Sequence, residues 1–328
     1  MTDGARPTLR GVEAAIARIR PLVPETPLVR SEILSRLLGC DLWLKNEGAT
    51  ATFSFKLRGA ANDLLQAHAR MGGSLKAVVA SSSGNHGLAV AWIARSLGLA
   101  CHIFVSVQVG ARKRALIEMM GAQVHAVGED IDYARAAAIG FTEENGLYFV
   151  NDGVSIDLME GAGTMAYEIA HALPDVDAVL VNIGGGNLAA GTAATLRALK
   201  PQAKTIGVAP GVSPVIVYSF HERRALVIPP GETVADALAQ RETVAFSLGV
   251  LWDHLADAWL VDDATILSAH RALLESAHML AEPSGVACLA AAWTHRDALR
   301  GKQVVLAITG ANATVEQLQQ ALAAPPLA

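Results

Sequence analysis

Cysteine is scarce in this chain. Cys40, Cys101 and Cys288 are odd in number, far apart and without a Cys-x-x-Cys pair, which excludes a disulfide framework and a cysteine zinc site and leaves buried free thiols. Aromatic residues make up 5% of the chain and no stripe of Lys and Arg is present, so neither a stacking platform nor a phosphate-tracking surface for nucleic acid is available. No apolar run reaches the roughly 18 residues of a membrane span. The segment Met1 to Pro24 carries Asp3, Glu13 and several arginines where a secretion signal would be apolar. These absences describe a cytoplasmic chain with no nucleic-acid or membrane partner. What the 328 residues do have is apolar content, 52%, with 17% charged residues and a formal net charge of −5, enough for an extensive core in two domains or one large one.

Lysine is the other scarcity, with seven lysines against nineteen arginines. Lys56 stands out among them, in Thr52-Phe53-Ser54-Phe55-Lys56-Leu57-Arg58-Gly59-Ala60, at the mouth of an expected helix. A lone lysine on a helix is ordinarily a solvated surface residue. Flanking Phe55 and Leu57 point to a site poorer in water, where desolvation favours the neutral amine that attacks a carbonyl to form a Schiff base.

Around that stretch the chain alternates. Helical spacing over residues 9–20 ends at Pro21 and Pro24, and a short strand, Asp41–Lys45, leads into the lysine loop. Apolar runs at 77–80, 101–105, 124–127, 178–181, 205–209 and 304–308 are each followed by helical periodicity, which predicts an α/β fold with a mostly parallel sheet and helices on both faces. Residues 221–246 mix Arg, Pro, Gly and Glu and read as a long loop of the kind that covers sites. Composition marks no linker.

Two more motifs open helices. Ser81-Ser82-Ser83-Gly84-Asn85-His86-Gly87 follows a strand, and its small residues turn backbone N–H groups outward at a helix N-terminus, an anion site that suits a substrate carboxylate. A plain serine cap accounts for Ser83 but not for Asn85, His86 and the two glycines. Gly184-Gly185-Gly186-Asn187-Leu188 lies between a strand and a helix and allows close approach to a phosphate. A dinucleotide reading fits Gly184, Gly186 and Ala189, but the next strand offers Ala209 where a ribose would want an acid, and no Gly-Lys-Ser/Thr follows for a nucleoside triphosphate.

These motifs, with Glu282-Pro283-Ser284-Gly285 and Ile308-Thr309-Gly310-Ala311-Asn312, stand in the order and spacing of the fold-type II pyridoxal phosphate enzymes. The chain most resembles the serine/threonine dehydratase and serine racemase family, from about Ala14 to Thr314. The resemblance implies a tryptophan synthase β-like fold of two domains, residues 1–52 with 149–328 as the large one and 53–148 as the small one. It implies pyridoxal 5'-phosphate held by Lys56, which also serves as the base at Cα. The phosphate would lie on the amides of Gly184, Gly185, Gly186, Asn187 and Leu188, with Asn85 on the ring hydroxyl, Phe55 beside the ring and the Thr309 hydroxyl at the pyridine nitrogen. The substrate carboxylate falls to Ser82, Ser83, Gly84, Asn85 and His86, and Ser83 matches the position facing the opposite side of Cα in racemases of this family. The activity implied is a lyase that converts a β-hydroxy-α-amino acid, of serine, threonine, 3-hydroxyaspartate or 3-phenylserine type, to a 2-oxoacid and ammonia. The rivals are an amino-acid racemase and a non-catalytic cofactor-binding protein. A homodimer is the implied assembly.

Four departures accompany the match. Phe53, Asn187 and Ala311 stand where the family has glycine and add bulk beside the cofactor. Where many relatives place a divalent-cation site, this chain has Ala209, Ser213 and Val215, so no metal is expected. About sixteen residues follow the Thr309 motif, too few for the regulatory domain of biosynthetic threonine dehydratases, so isoleucine-type feedback is not expected.

Overall fold

The computed structural model of the chain describes residues 6–82 and 84–327. Among the described residues ten strands form two sheets: β1 (Leu28–Arg30), β2 (Asp41–Asn46), β3 (Ala77–Ser81), β4 (Ala100–Val105), β5 (Gln123–Ala126), β6 (Tyr148–Phe149), β7 (Ala178–Asn182), β8 (Lys204–Pro210), β9 (Asp257–Val261) and β10 (Gln303–Ile308). The larger sheet runs β1-β2-β10-β7-β8-β9 and the smaller β5-β4-β3-β6. All neighbours are parallel except the edge pair β1 and β2. Strands covered on both faces read as unbroken apolar runs. Ala178-Val-Leu-Val-Asn182 in β7 is buried at every position for that reason. The expected parallel α/β architecture is therefore present, and β1, β6 and β9 add strands too short or too mixed to stand out in the sequence.

Helices fill both faces of the larger sheet. Pro283–Thr294 and Asp263–Ala277 pack with Leu42, Leu44 and Leu306 on one side, while Ile156–Ala172 and Asn187–Leu199 pack with Val179, Val181 and Val305 on the other. A fully buried leucine such as Leu42 contributes roughly 1.5–3 kcal/mol. Val78, Ala80 and Ile103 of the smaller sheet share a core with Leu57, Ala61 and Leu64 of the helix Lys56–Met71.

Close helix contacts set the distance of the lysine helix from the phosphate-type loop. A Cβ at Gly161 would lie 2.6 Å from the Arg58 carbonyl oxygen, and one at Gly191 would lie 2.2 Å from the Met159 carbonyl oxygen. The helices Lys56–Met71, Ile156–Ala172 and Asn187–Leu199 therefore touch backbone to backbone at these points, a distance no side chain would allow.

Candidate active site

Four of the segments singled out in the sequence lie just beyond the carboxyl end of a strand, the usual place for ligands in open parallel sheets, while Glu282–Gly285 opens a helix that follows another helix. The lysine loop follows β2, Ser82–His86 follow β3, Gly184–Leu188 follow β7 and Thr309 follows β10. The lysine loop is strapped in place. Thr50 Oγ1 accepts from Ser54 N at 2.9 Å, Phe55 N donates to Thr309 O at 3.0 Å, and Ala311 N donates to Phe53 O at 2.8 Å. These bonds join Lys56 and Thr309 in one unit. Phe53, where the family has glycine, holds a positive φ of 57°.

Lys56 is the first residue of its helix, and Nζ lies 5.3 Å from the Phe55 ring centroid. Nζ donates to Asp152 Oδ2 at 2.5 Å, and Asn187 Nδ2 donates to Asp152 Oδ1 at 2.7 Å. Phe55, Lys56, His86, Asp152, Leu158 and Asn187 line one small cleft. Burial alone would raise the Asp152 carboxyl, but the charges of Lys56 and His86 and the bonds from Lys56 and Asn187 outweigh it and hold the group well below the usual carboxylate range. Burial pushes the His86 imidazole below its ordinary value, while the charge of Asp152 pulls it the other way.

The two glycine motifs begin helices that lack side-chain caps. Gly186 is the N-cap of Asn187–Leu199, in the left-handed region at φ 98°, and Gly84 is the N-cap of Asn85–Ser96. Ser82 Oγ accepts from Gly84 N at 3.2 Å. Ser83 lies outside the described residues. Gly185 and Gly84 both border space in which an added Cβ would meet nothing within 4 Å. His86 Nε2 and Asn187 Oδ1 are buried without a protein partner. Free amides at two helix ends, open space above the glycines and unpartnered polar atoms beside an amine suit a phosphate-bearing carbonyl compound together with a carboxylate. The loop 223–244 packs against Gly184, where an added Cβ would lie 3.0 Å from the Ala237 carbonyl oxygen, and Ser247 Oγ, from the helix that follows the loop, donates to Gly185 O at 2.9 Å.

Asn85 and Thr309 each sit on a polar chain of their own. Asn85 Nδ2 donates to Glu282 Oε1 at 2.6 Å, and Asn85 Oδ1 accepts from Asn312 Nδ2 at 2.7 Å, which leaves one amide N–H of Asn85 free. Thr309 Oγ1 accepts from Asn182 Nδ2 at 3.2 Å, and Asn182 Oδ1 accepts from the Cys288 thiol at 2.8 Å. Asp152, Asn182, Glu282 and Asn312 thus belong to the site's polar framework, although sequence reasoning gave them no role. Burial pushes Glu282 up to about 7. A carboxyl whose folded pKa is raised contributes its stabilisation below the unfolded pKa and loses it as pH rises through about 7. Glu282→Gln should therefore raise Tm by roughly 2–4 °C at pH 8 and by nothing at pH 5, read by calorimetry. An equal shift at both pH values would contradict this.

A paired-sheet α/β frame that sets a lysine amine beside an uncapped glycine helix end has the layout of an enzyme working through a phosphorylated carbonyl cofactor. The family described as pyridoxal-phosphate dependent enzyme matches residues 19–310, and the chain belongs to it, with pyridoxal 5'-phosphate as the cofactor. An L-threonine ammonia-lyase of Thermotoga maritima is 31% identical over 313 residues, spanning 95% of this chain and 77% of that protein. A putative threonine dehydratase of Sinorhizobium fredii is 32% identical, over 95% of this chain and 94% of its own length. Maize serine racemase superposes with a TM-score of 0.90 at 27% identity, covering 97% of each chain.

Proposed function

We propose that this enzyme is a lyase that removes the β-hydroxyl and the amino group of a β-hydroxy-α-amino acid, releasing a 2-oxoacid and ammonia. The carrying observation is the Lys56 amine in a cleft beside the uncapped helix end at Gly186. The threonine ammonia-lyase relatives support the reaction class. Lys56 would hold the cofactor, Gly184–Leu188 its phosphate, Asn85 its ring hydroxyl through the one free amide N–H, and Phe55 one ring face. When bound, the cofactor draws electrons from Cα, which loosens the Cα proton and favours loss of a β-substituent.

The chain's own groups do the rest. Lys56 takes the Cα proton. The Thr309 hydroxyl, which accepts from Asn182, would be free to donate its proton to the cofactor's ring nitrogen, and a neutral partner there would suit loss of the β-hydroxyl. The substrate carboxylate would sit at the N-terminus of Asn85–Ser96, on Ser82, Ser83, Gly84, Asn85 and His86. Asp152 stands in the same cleft, so a second substrate carboxylate is repelled and serine- or threonine-like substrates are favoured over 3-hydroxyaspartate. The two sheets support a division into residues 1–52 with 149–328 and residues 53–148, apart from Phe149, which completes β6 of the smaller sheet, and residues of both units line the cleft.

The test is to incubate the purified enzyme with L- and D-serine, L-threonine, 3-hydroxyaspartate and 3-phenylserine while following 2-oxoacid and enantiomer together. Oxoacid from a monocarboxylic substrate supports the lyase. Enantiomer without oxoacid would replace it with the racemase reading, which the likeness to maize serine racemase favours.

We further propose that the reaction needs no divalent cation. Ala209 and Val215 are buried and apolar, and Ser213 Oγ is taken up by the Gln240 backbone, at 2.9 Å from N and 3.2 Å from O. Neither apolar side chain supplies the oxygen ligands a hard cation requires. Chelator treatment should leave activity and Tm unchanged, and losses restored by magnesium or calcium would refute this.

A further inference from the structure

The reaction outlined above makes no use of Asp152 as a partner of the amine. We propose that Asp152 is a positioning residue for Lys56: its carboxylate, held by Asn187, is a seat that pairs with Nζ and keeps it aimed into the cleft whenever that amine is not covalently engaged. The inference rests on the reading of Lys56 as the cofactor-holding amine.

Both carboxylate oxygens are committed, Oδ2 to Lys56 Nζ at 2.5 Å and Oδ1 to Asn187 Nδ2 at 2.7 Å. The carboxylate therefore cannot swing away from Nζ without losing Asn187, whose own backbone is fixed as the first residue of a 13-residue helix. The turn carrying Asp152 is pinned on both flanks. Asn151 Oδ1 accepts from an Arg135 guanidinium nitrogen at 2.6 Å, and Gly153, at φ 102°, lies against Val244, which a Cβ there would meet at 2.9 Å. His86 is the other ionisable neighbour, but burial disfavours its charged form, and Lys56, at 2.5 Å, is the first charge that holds the carboxylate down.

This seat has two consequences for an amine that must react. In the free enzyme it places Nζ at the reaction locus but masks its lone pair, and the proton must pass to solvent before the amine can attack a carbonyl. After Lys56 has been displaced by a substrate amine and has taken the Cα proton, the same carboxylate stabilises the ammonium that results. Asn187, one of the departures from the family's glycine loop, acquires a purpose in this arrangement because glycine could not grip Oδ1.

The test labels lysines of the cofactor-free full-length protein with acetic anhydride at neutral pH and reads each site by mass spectrometry, with exposed Lys76 as internal reference. Asp152→Asn should raise Lys56 acetylation about tenfold relative to Lys76, the size expected when one close opposite charge is removed, while Asp152→Glu stays near wild type. Asn187→Ala keeps the carboxylate but frees it, and should raise labelling several-fold; it serves if Asp152→Asn does not fold. Unchanged Lys56 labelling in whichever of these variants folds would overturn the seat. Separately, failure of added pyridoxal 5'-phosphate to become reducibly trapped on Lys56 would sink the functional reading and leave the labelling result standing.

Discussion

Lys56→Arg should abolish turnover while leaving the fold intact. The guanidinium keeps a positive charge within reach of Asp152, so the ion pair with its 2.5 Å contact has a substitute and the carboxylate is not left bare. What arginine cannot do is lose a proton near neutral pH, so it neither attacks a carbonyl nor accepts the Cα proton. Loss of the proton-transfer role alone is worth about 10²–10⁴-fold in kcat, and loss of covalent cofactor attachment removes the rest. The expected result is oxoacid formation at background, no visible band from bound cofactor, and a Tm within about 2 °C of wild type, since the Lys56 side chain is only partly buried and its pair is discounted for solvent. Lys56→Ala is the contrasting variant. It strands the carboxylate and should lose stability as well as activity, so the pair of variants separates reactivity from packing. Turnover of Lys56→Arg above a tenth of wild type would refute the assignment.

The parts of the site that could be read in the sequence are those that carry backbone chemistry. Gly184-Gly185-Gly186 and Ser82–His86 announce themselves because small residues between an apolar run and a helical period have one ready use, uncapped amides facing a ligand. Strands β3, β4, β7, β8 and β10 were legible for the same kind of reason, since a strand buried on both faces must be apolar throughout. Asp152 was not legible. Asn151-Asp152-Gly153 looks like any polar turn, and only the meeting of that turn with the lysine helix and the Asn187 helix turns an aspartate into the partner of the amine. Strand β9 hid because Asp257-Ala-Trp-Leu-Val261 lies at the edge of its sheet and is only partly buried, so its pattern is mixed. Glu47, Arg58 and Glu168 were equally silent, because a charged residue in a helical period ordinarily faces water.

That last group yields the largest stability effect. Arg58, two residues beyond Lys56 in the same helix, is fully buried and spends its guanidinium on the oxygens of four side chains: Nε to Glu47 Oε2 at 2.7 Å, Nη1 to Thr164 Oγ1 at 2.9 Å and Glu168 Oε1 at 3.0 Å, Nη2 to Thr26 Oγ1 at 2.9 Å, Glu47 Oε1 at 3.0 Å and Glu168 Oε2 at 2.7 Å. Lys45 Nζ reaches the same Glu168 Oε2 at 2.7 Å. The network ties the start of the lysine helix to β2 and to the helix Ile156–Ala172, so it bears on the placement of Lys56 as well as on stability. Arg58→Met fills similar volume but leaves Glu47 and Glu168 with only Lys45 and the half-exposed Arg20, which reaches Glu168 Oε1 at 3.0 Å. Breaking a buried pair by deleting one partner costs about 3–5 kcal/mol, and the urea midpoint should fall accordingly. The pH dependence has a definite sign. Burial would raise Glu168, but Arg58's charge and hydrogen bonds outweigh it and hold the group below its ordinary value, a contribution present at neutral pH and lost as pH falls through the folded pKa. The deficit of Arg58→Met should therefore be greatest near pH 7 and shrink toward pH 4, where the stranded carboxylate can take a proton. Adding Glu168→Met to Arg58→Met should recover part of the loss, because the buried charge left behind is then removed with its partner. A single-variant deficit that is constant from pH 7 to pH 4, or a double variant less stable than the sum of its parts, would show that Arg58 acts by shape alone.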